Sequence, residues 1–117
     1  MDDSIDDLLE VLSLSNKGET TFVGRGSGHE GYGLFGGHQL AQSIVSAYRS
    51  VSAERRLHSV HGFFLRGGDG KKNINYDVAN IRDGRAFCQR RVTASQDDKQ
   101  IFDLTASFHT PEKGPGV

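Results

Sequence analysis

Only one long segment of the chain keeps a helical period, and nothing after it does. From about Gly37 to Val51, the residues Leu40, Ala41, Ile44, Val45, Tyr48 and Val51 recur at the spacing that lines one side of a helix. Downstream the pattern changes to alternation. Ile74, Tyr76 and Val78 are separated by polar residues, and Asp83-Gly84 marks a hairpin. Ala86 to Ala94 is a strand of mixed faces, and Ser95 to Lys99 is a polar turn. Phe102, Leu104, Ala106 and Phe108 then alternate with Asp103, Thr105, Ser107 and His109, until Pro111 ends the sheet. Upstream, Ser4 to Leu14 predicts a short helix capped by Ser4, and Thr20 to Val23 a strand. Tight hairpins imply antiparallel pairing. One long helix must then bury its stripe against one curved sheet. The predicted class is α+β: a long central helix wrapped by a curved antiparallel sheet, with a short N-terminal helix.

A chain of 117 residues has material for one modest core. Residues 1–112 are expected to form a single domain, with 113–117 a tail or linker. The formal net charge is −1, with both signs mixed along the chain, which argues against nucleic acid or a membrane surface as partner. Cys88, the single cysteine, has no disulfide partner in the chain. A reducing cytoplasm is therefore expected. No apolar run approaches the ~20 residues of a membrane span.

The stretch from His58 to Asp69 reads as a strand running into a tight turn. The pleat sets Ser59, His61, Phe63 and Leu65 on one face and His58, Val60, Gly62, Phe64 and Arg66 on the other. Two mainly apolar faces predict a strand covered on both sides. Gly62 in its middle marks close approach of a ligand or another backbone. His58 and His61, on opposite faces, would not share a metal ion, and no metal-ligand set is visible.

Residues 24–37 hold seven of the 15 glycines. G-x-G-x-x-G occurs twice there, but no parallel βαβ unit follows, so a dinucleotide fingerprint lacks its context. Phe35-Gly36-Gly37-His38-Gln39 falls at the expected helix start. Free N–H groups there would let a carbonyl or phosphate oxygen approach Gly36 and Gly37, beside His38 and Gln39. Arg85, Arg90 and Arg91 would either meet ligand phosphates or form a solvated face. Cys88 reads as a buried structural thiol.

Several blocks occur in order: Leu34 to Gln39, His58 to Asp69, Tyr76-Asp77-Val78, Arg82 to Phe87, Ile101-Phe102 and Thr105 to Phe108. Together they resemble the N-terminal half of the acyl-CoA thioesterase II (TesB-like) family, over about residues 5–112. The resemblance implies a hotdog fold and hydrolysis of fatty acyl-CoA to free acid and CoA, with no cofactor, CoA being part of the substrate. Members of that family normally carry two hotdog repeats, and their catalytic Asp, Ser/Thr and Gln belong to the second. Overlaying the repeats puts the Asp position near Ser59 and the Gln position near Phe108, neither of which has the needed chemistry.

The resemblance thus leaves three readings. The chain is one repeat of a thioesterase, needing a second. Or it is a self-sufficient homodimer, with His58 or His61 as general base or water-orienting group and the Gly36–Gly37 N–H groups polarising the thioester. Or it is a non-catalytic acyl-CoA module. A lone repeat leaves a sheet edge and one side of its helix uncovered, so a homo-oligomer or pairing with a second repeat is expected.

Overall fold

The computed structural model describes residues 12–26 and 32–110, and side chains within 12–26 and 36–110. The predicted short helix therefore lies largely outside the described residues, as does the tail. The elements are β1 (Ser15–Asn16), β2 (Thr21–Gly24), α1 (Tyr32–Tyr48), β3 (Arg56–Phe64), β4 (Ile74–Asp83), β5 (Phe87–Gln96) and β6 (Lys99–His109). All strands join one antiparallel sheet in the order β1-β2-β4-β5-β6-β3. The helix stands between β2, near one edge, and β3, at the other.

The hairpins fall where the turn residues put them. Gly84 N–H donates to the Phe87 carbonyl at 2.7 Å, closing the β4–β5 turn. Asp97 and Asp98 take φ of 50° and 63° in the two-residue β5–β6 turn, left-handed positions that suit a right-twisted hairpin. Alternation then builds the core. Across the strands, Tyr76 pairs with Ala94 and Ala94 with Phe102, and in the next inward row Val78 pairs with Val92 and Val92 with Leu104. Each of these is buried. The small Ala94 thus lies between the large Tyr76 and Phe102 in one buried row.

Three expectations need correction. First, α1 begins at Tyr32 rather than about Gly37, so Gly33 and Gly36 are helical as well. It ends at Tyr48, after which Ser50 and Val51 bond back three residues in tighter turns. Second, the helix buries its apolar stripe only in part, with Ile44 and Val45 against the core and Tyr48 edge-on to Phe108 at 4.9 Å. His38, Gln39, Gln42, Ser43, Ser46 and Ala47 are buried, while Leu40 and Tyr48 are each 39% exposed and Ala41, Ile44 and Val45 only half-buried. At about 100° per residue these sets lie on opposite sides of the helix. Small and hydrogen-bonding side chains let the helix settle close to the sheet. Third, β3 is an edge strand exposed along most of its length, not one covered on both sides.

No helix among the described residues is long and apolar enough to cross a membrane.

Candidate functional site

The buried side of α1 is wired to the strands by polar groups. Gln42, fully buried, donates from Nε2 to the Arg25 carbonyl at 3.1 Å and accepts at Oε1 from the Tyr76 hydroxyl at 2.7 Å. His38 Nε2 lies 2.5 Å from the same carbonyl. A carbonyl only accepts, so this nitrogen carries the proton. Burial pushes the Tyr76 hydroxyl's ionisation far up, keeping it a donor. The network pins the chain leaving β2 to the second and third turns of the helix. Tyr76→Phe would strand Gln42 Oε1 without its donor. A loss of about 1–3 kcal/mol is expected, read as a lower unfolding midpoint at unchanged fold.

One turn apart on the same helix, Gln39 Oε1 and Ser43 Oγ are buried without a partner. Buried polar atoms normally find one, so this helix surface has unused hydrogen-bonding capacity. Polar residues 39, 42, 43 and 46 share a helical period of their own, a signal present in the sequence but hidden behind the apolar stripe.

Along the opposite side runs an apolar surface shared with β3. Phe64, 60% exposed, stacks on buried Phe102 with ring centroids 4.6 Å apart. Its ring also approaches Gly36 so closely that a Cβ there would sit 3.2 Å from Cζ. Leu40 continues this surface on the helix, while Phe63, 66% exposed, pairs with Asp103 on the outer sheet face and Leu65, 50% exposed, follows the strand. Gly37 has open space around it. Because α1 starts at Tyr32, the N–H groups of Gly36 and Gly37 belong to its internal ladder and are not the free donors of a helix start.

His58 and His61 lie elsewhere. A bulge between Leu57 and Ser59 sets His58 out of register. Its ring packs edge-on against His109 and Phe87, at 5.5 and 5.6 Å. Ser59 pairs with Ser107 and His61 with Thr105, on the sheet face away from the helix. The bulge thus puts both imidazoles on one face, where a regular pleat would have split them. It also separates them from Gly36, Gly37, His38 and Gln39, so one chain does not bring its candidate residues together. Phe108 is fully buried in the core.

The arginines have divided roles. Arg90, 5% exposed, donates to the Ser50 hydroxyl and carbonyl at 3.0 and 3.2 Å and to Asp83 at 2.9 Å, tying the end of the helix to the sheet. Asn80 and Arg90 together hold the Asp83 carboxyl below the usual carboxylate range. Arg91 forms a two-point ion pair with Asp103 at 2.9 and 2.8 Å. Arg85 is exposed. Cys88 is 1% exposed, as expected of a structural thiol.

Comparison with known proteins agrees with this architecture. Residues 25–109 match the family model for the acyl-CoA thioesterase N-terminal domain. Acyl-CoA thioesterase 2 of Haemophilus influenzae is 37% identical over 114 residues, 97% of this chain and 40% of that protein. Human acyl-coenzyme A thioesterase 8 is 39% identical over 105 residues, 90% of this chain and 33% of that protein. The crystal structure of the acyl-CoA thioesterase II TesB2 from Mycobacterium marinum superposes with a TM-score of 0.82 at 37% identity, over 94% of this chain and 40% of that one. The chain thus spans well under half the length of these relatives. With most of its length matched, it belongs to the acyl-CoA thioesterase N-terminal domain family.

Proposed function

We propose that the chain is one hotdog repeat of a fatty acyl-CoA thioesterase and works when paired with a second hotdog. Residues 1–112 would form that single domain, with the sheet curved around α1. One observation carries the reading: Phe64 of the β3 edge and Leu40 of α1, one turn beyond the Gly36 that Phe64 approaches, leave apolar side chains exposed on the helix side of the sheet. An exposed, long, apolar edge strand needs a cover. A second repeat laid against it would close a groove between Phe64, Leu40 and the partner, suited to an acyl chain. Gly36 and Gly37 would keep the helix surface low beside Phe64, with His38 and Gln39 bracing it from beneath.

The reaction is hydrolysis. Water adds to the thioester carbonyl carbon, the C–S bond breaks, the sulfur takes up the proton released by water, and fatty acid and CoA leave. No metal or other cofactor enters it. The groups that activate water would come from the second repeat, because His58 and His61 stand across the sheet from the groove.

The test uses the purified chain with palmitoyl-CoA. Expected is a dimer or larger species on sizing that binds palmitoyl-CoA without releasing CoA. Addition of the second repeat of the H. influenzae relative should then restore CoA release. A clean monomer with no affinity for palmitoyl-CoA would sink the reading. Turnover by the chain alone that disappears in His58→Ala or His61→Ala would replace it with the self-sufficient homodimer.

A further inference from the structure

The sheet face turned away from α1 carries a second feature that the groove does not use. Across it, Arg82 pairs with Gln89, Gln89 with Ser107 and Ser107 with Ser59, giving one polar row. In the next row Phe87 pairs with His109 and His109 with Arg56. The β3 bulge leans the His58 ring onto both Phe87 and His109. Between the rows, under the β4–β5 turn, lies a cleft of about 310 Å³ lined by His58, Arg82, Arg85, Phe87, Gln89 and Ser107. That volume falls at the lower end of the roughly 300–1,000 Å³ typical of small-molecule sites.

Charge around the cleft is one-sided. Asp83 is the only acidic residue between positions 78 and 96, and it is engaged by Asn80 and Arg90. Asp83 pairs with Cys88, so it belongs to the register of the opposite, buried face. Arg82 and Arg85 therefore have no ion-pair partner among the described residues. Beneath the turn, Arg55 donates from Nη2 to the Gly84 carbonyl at 3.0 Å, while its Nη1 is buried with no partner. The guanidinium groups of Arg82 and Arg85, left without counter-charge, favour phosphate, which they meet in forked geometry. Phe87 is half exposed beside two imidazole rings, a surface on which a planar ring can stack.

We propose that this outer-face cleft binds a nucleotide, with Arg82 and Arg85 on its phosphate and Phe87 with His58 against its base. The ligand has two possible sources: the nucleotide end of CoA, which rests on the thioesterase reading, or a free nucleotide, which does not.

Calorimetric titration of the purified chain distinguishes them, with adenosine 3′,5′-bisphosphate, CoA, ADP and inorganic phosphate as probes. Saturable binding of the nucleotides, weakened by salt, is expected. Tighter binding of CoA and adenosine 3′,5′-bisphosphate than of ADP assigns the site to the substrate's nucleotide end; equal binding assigns it to free nucleotides. Arg82→Ala/Arg85→Ala should weaken binding about 10-fold or more, and Phe87→Ala about 5-fold or more. Arg91→Ala, on the same face but paired to Asp103, should leave binding unchanged. All three variants alter surface side chains, and circular dichroism checks their fold. No saturable nucleotide binding, binding indifferent to the Arg82/Arg85 pair, or inorganic phosphate binding as tightly as the nucleotides would overturn the proposal. None of these readouts needs an acyl group or turnover, so they stand apart from the test of hydrolysis.

Discussion

Phe102→Ala should lower the unfolding free energy by about 3–5 kcal/mol, the loss expected for emptying a large aromatic site in a packed core. Phe102 is 1% exposed and lies where Ala94 of β5 and Phe64 of β3 flank it across the sheet. Its ring also fixes the shape of β3. At Gly62 an added Cβ would stand 2.7 Å from Phe102 Cζ and 3.0 Å from Cε1. The mid-strand glycine thus marks the close approach of a neighbouring ring. Gly62→Ala alone should cost about 1–3 kcal/mol through overpacking. In a Phe102→Leu background, which removes the ring, most of that cost should vanish. Urea unfolding of the four proteins gives the coupling directly. Strict additivity would show that Gly62 is required for another reason.

The glycine was legible in the sequence, but its neighbour was not. The same limit recurs through the fold. Strict alternation at 102–108 specified a buried face, and turn residues at 83–84 and 95–99 specified hairpins, because these are local choices of backbone and pleat. The helix was legible as an element. Its orientation was not, because two stripes share the period of α1: Leu40, Ala41, Ile44 and Tyr48 on one side, and Gln39, Gln42, Ser43 and Ser46 on the other. Hydrophobicity alone selects the first for burial. The sheet selects the second, because Tyr76 supplies a hydroxyl for Gln42 and close packing favours Ser43, Ser46 and Ala47. His58 shows the same limit at one residue. A single extra position in β3 turns its imidazole to the outer face, and nothing in His-Ser-Val-His announces a bulge. Gly36 was legible as a position where something comes close, though what arrives is the Phe64 ring rather than an oxygen at a helix start, and Gly37 has open space around it.

Phe64→Asp and Leu40→Asp should each convert the assembled protein to monomer while leaving the monomer folded. Phe64 and Leu40 are already 60% and 39% exposed in the single chain, so a carboxylate at either site remains hydrated there. Covered by a second hotdog, the same carboxylate would lose its water without gaining a counter-charge. The described residues lining this surface, Gly36, Leu40, Ile44 and Phe64, offer none. An unpaired buried charge costs several kcal/mol, enough to raise a dissociation constant 100-fold or more. The expected result is loss of the dimer on sizing across the micromolar range, with circular dichroism and unfolding midpoint near those of the parent. Phe87→Asp is the matched control: Phe87 is 50% exposed but lies on the other face of the sheet. It should leave the assembly intact. Dissociation by Phe87→Asp but not by Phe64→Asp would place the contact on the outer face. The apolar side of α1 would then need another explanation. Dissociation by Phe64→Asp and Leu40→Asp together places the partner across the strand edge and the helix at once, where a groove for an acyl chain has to form.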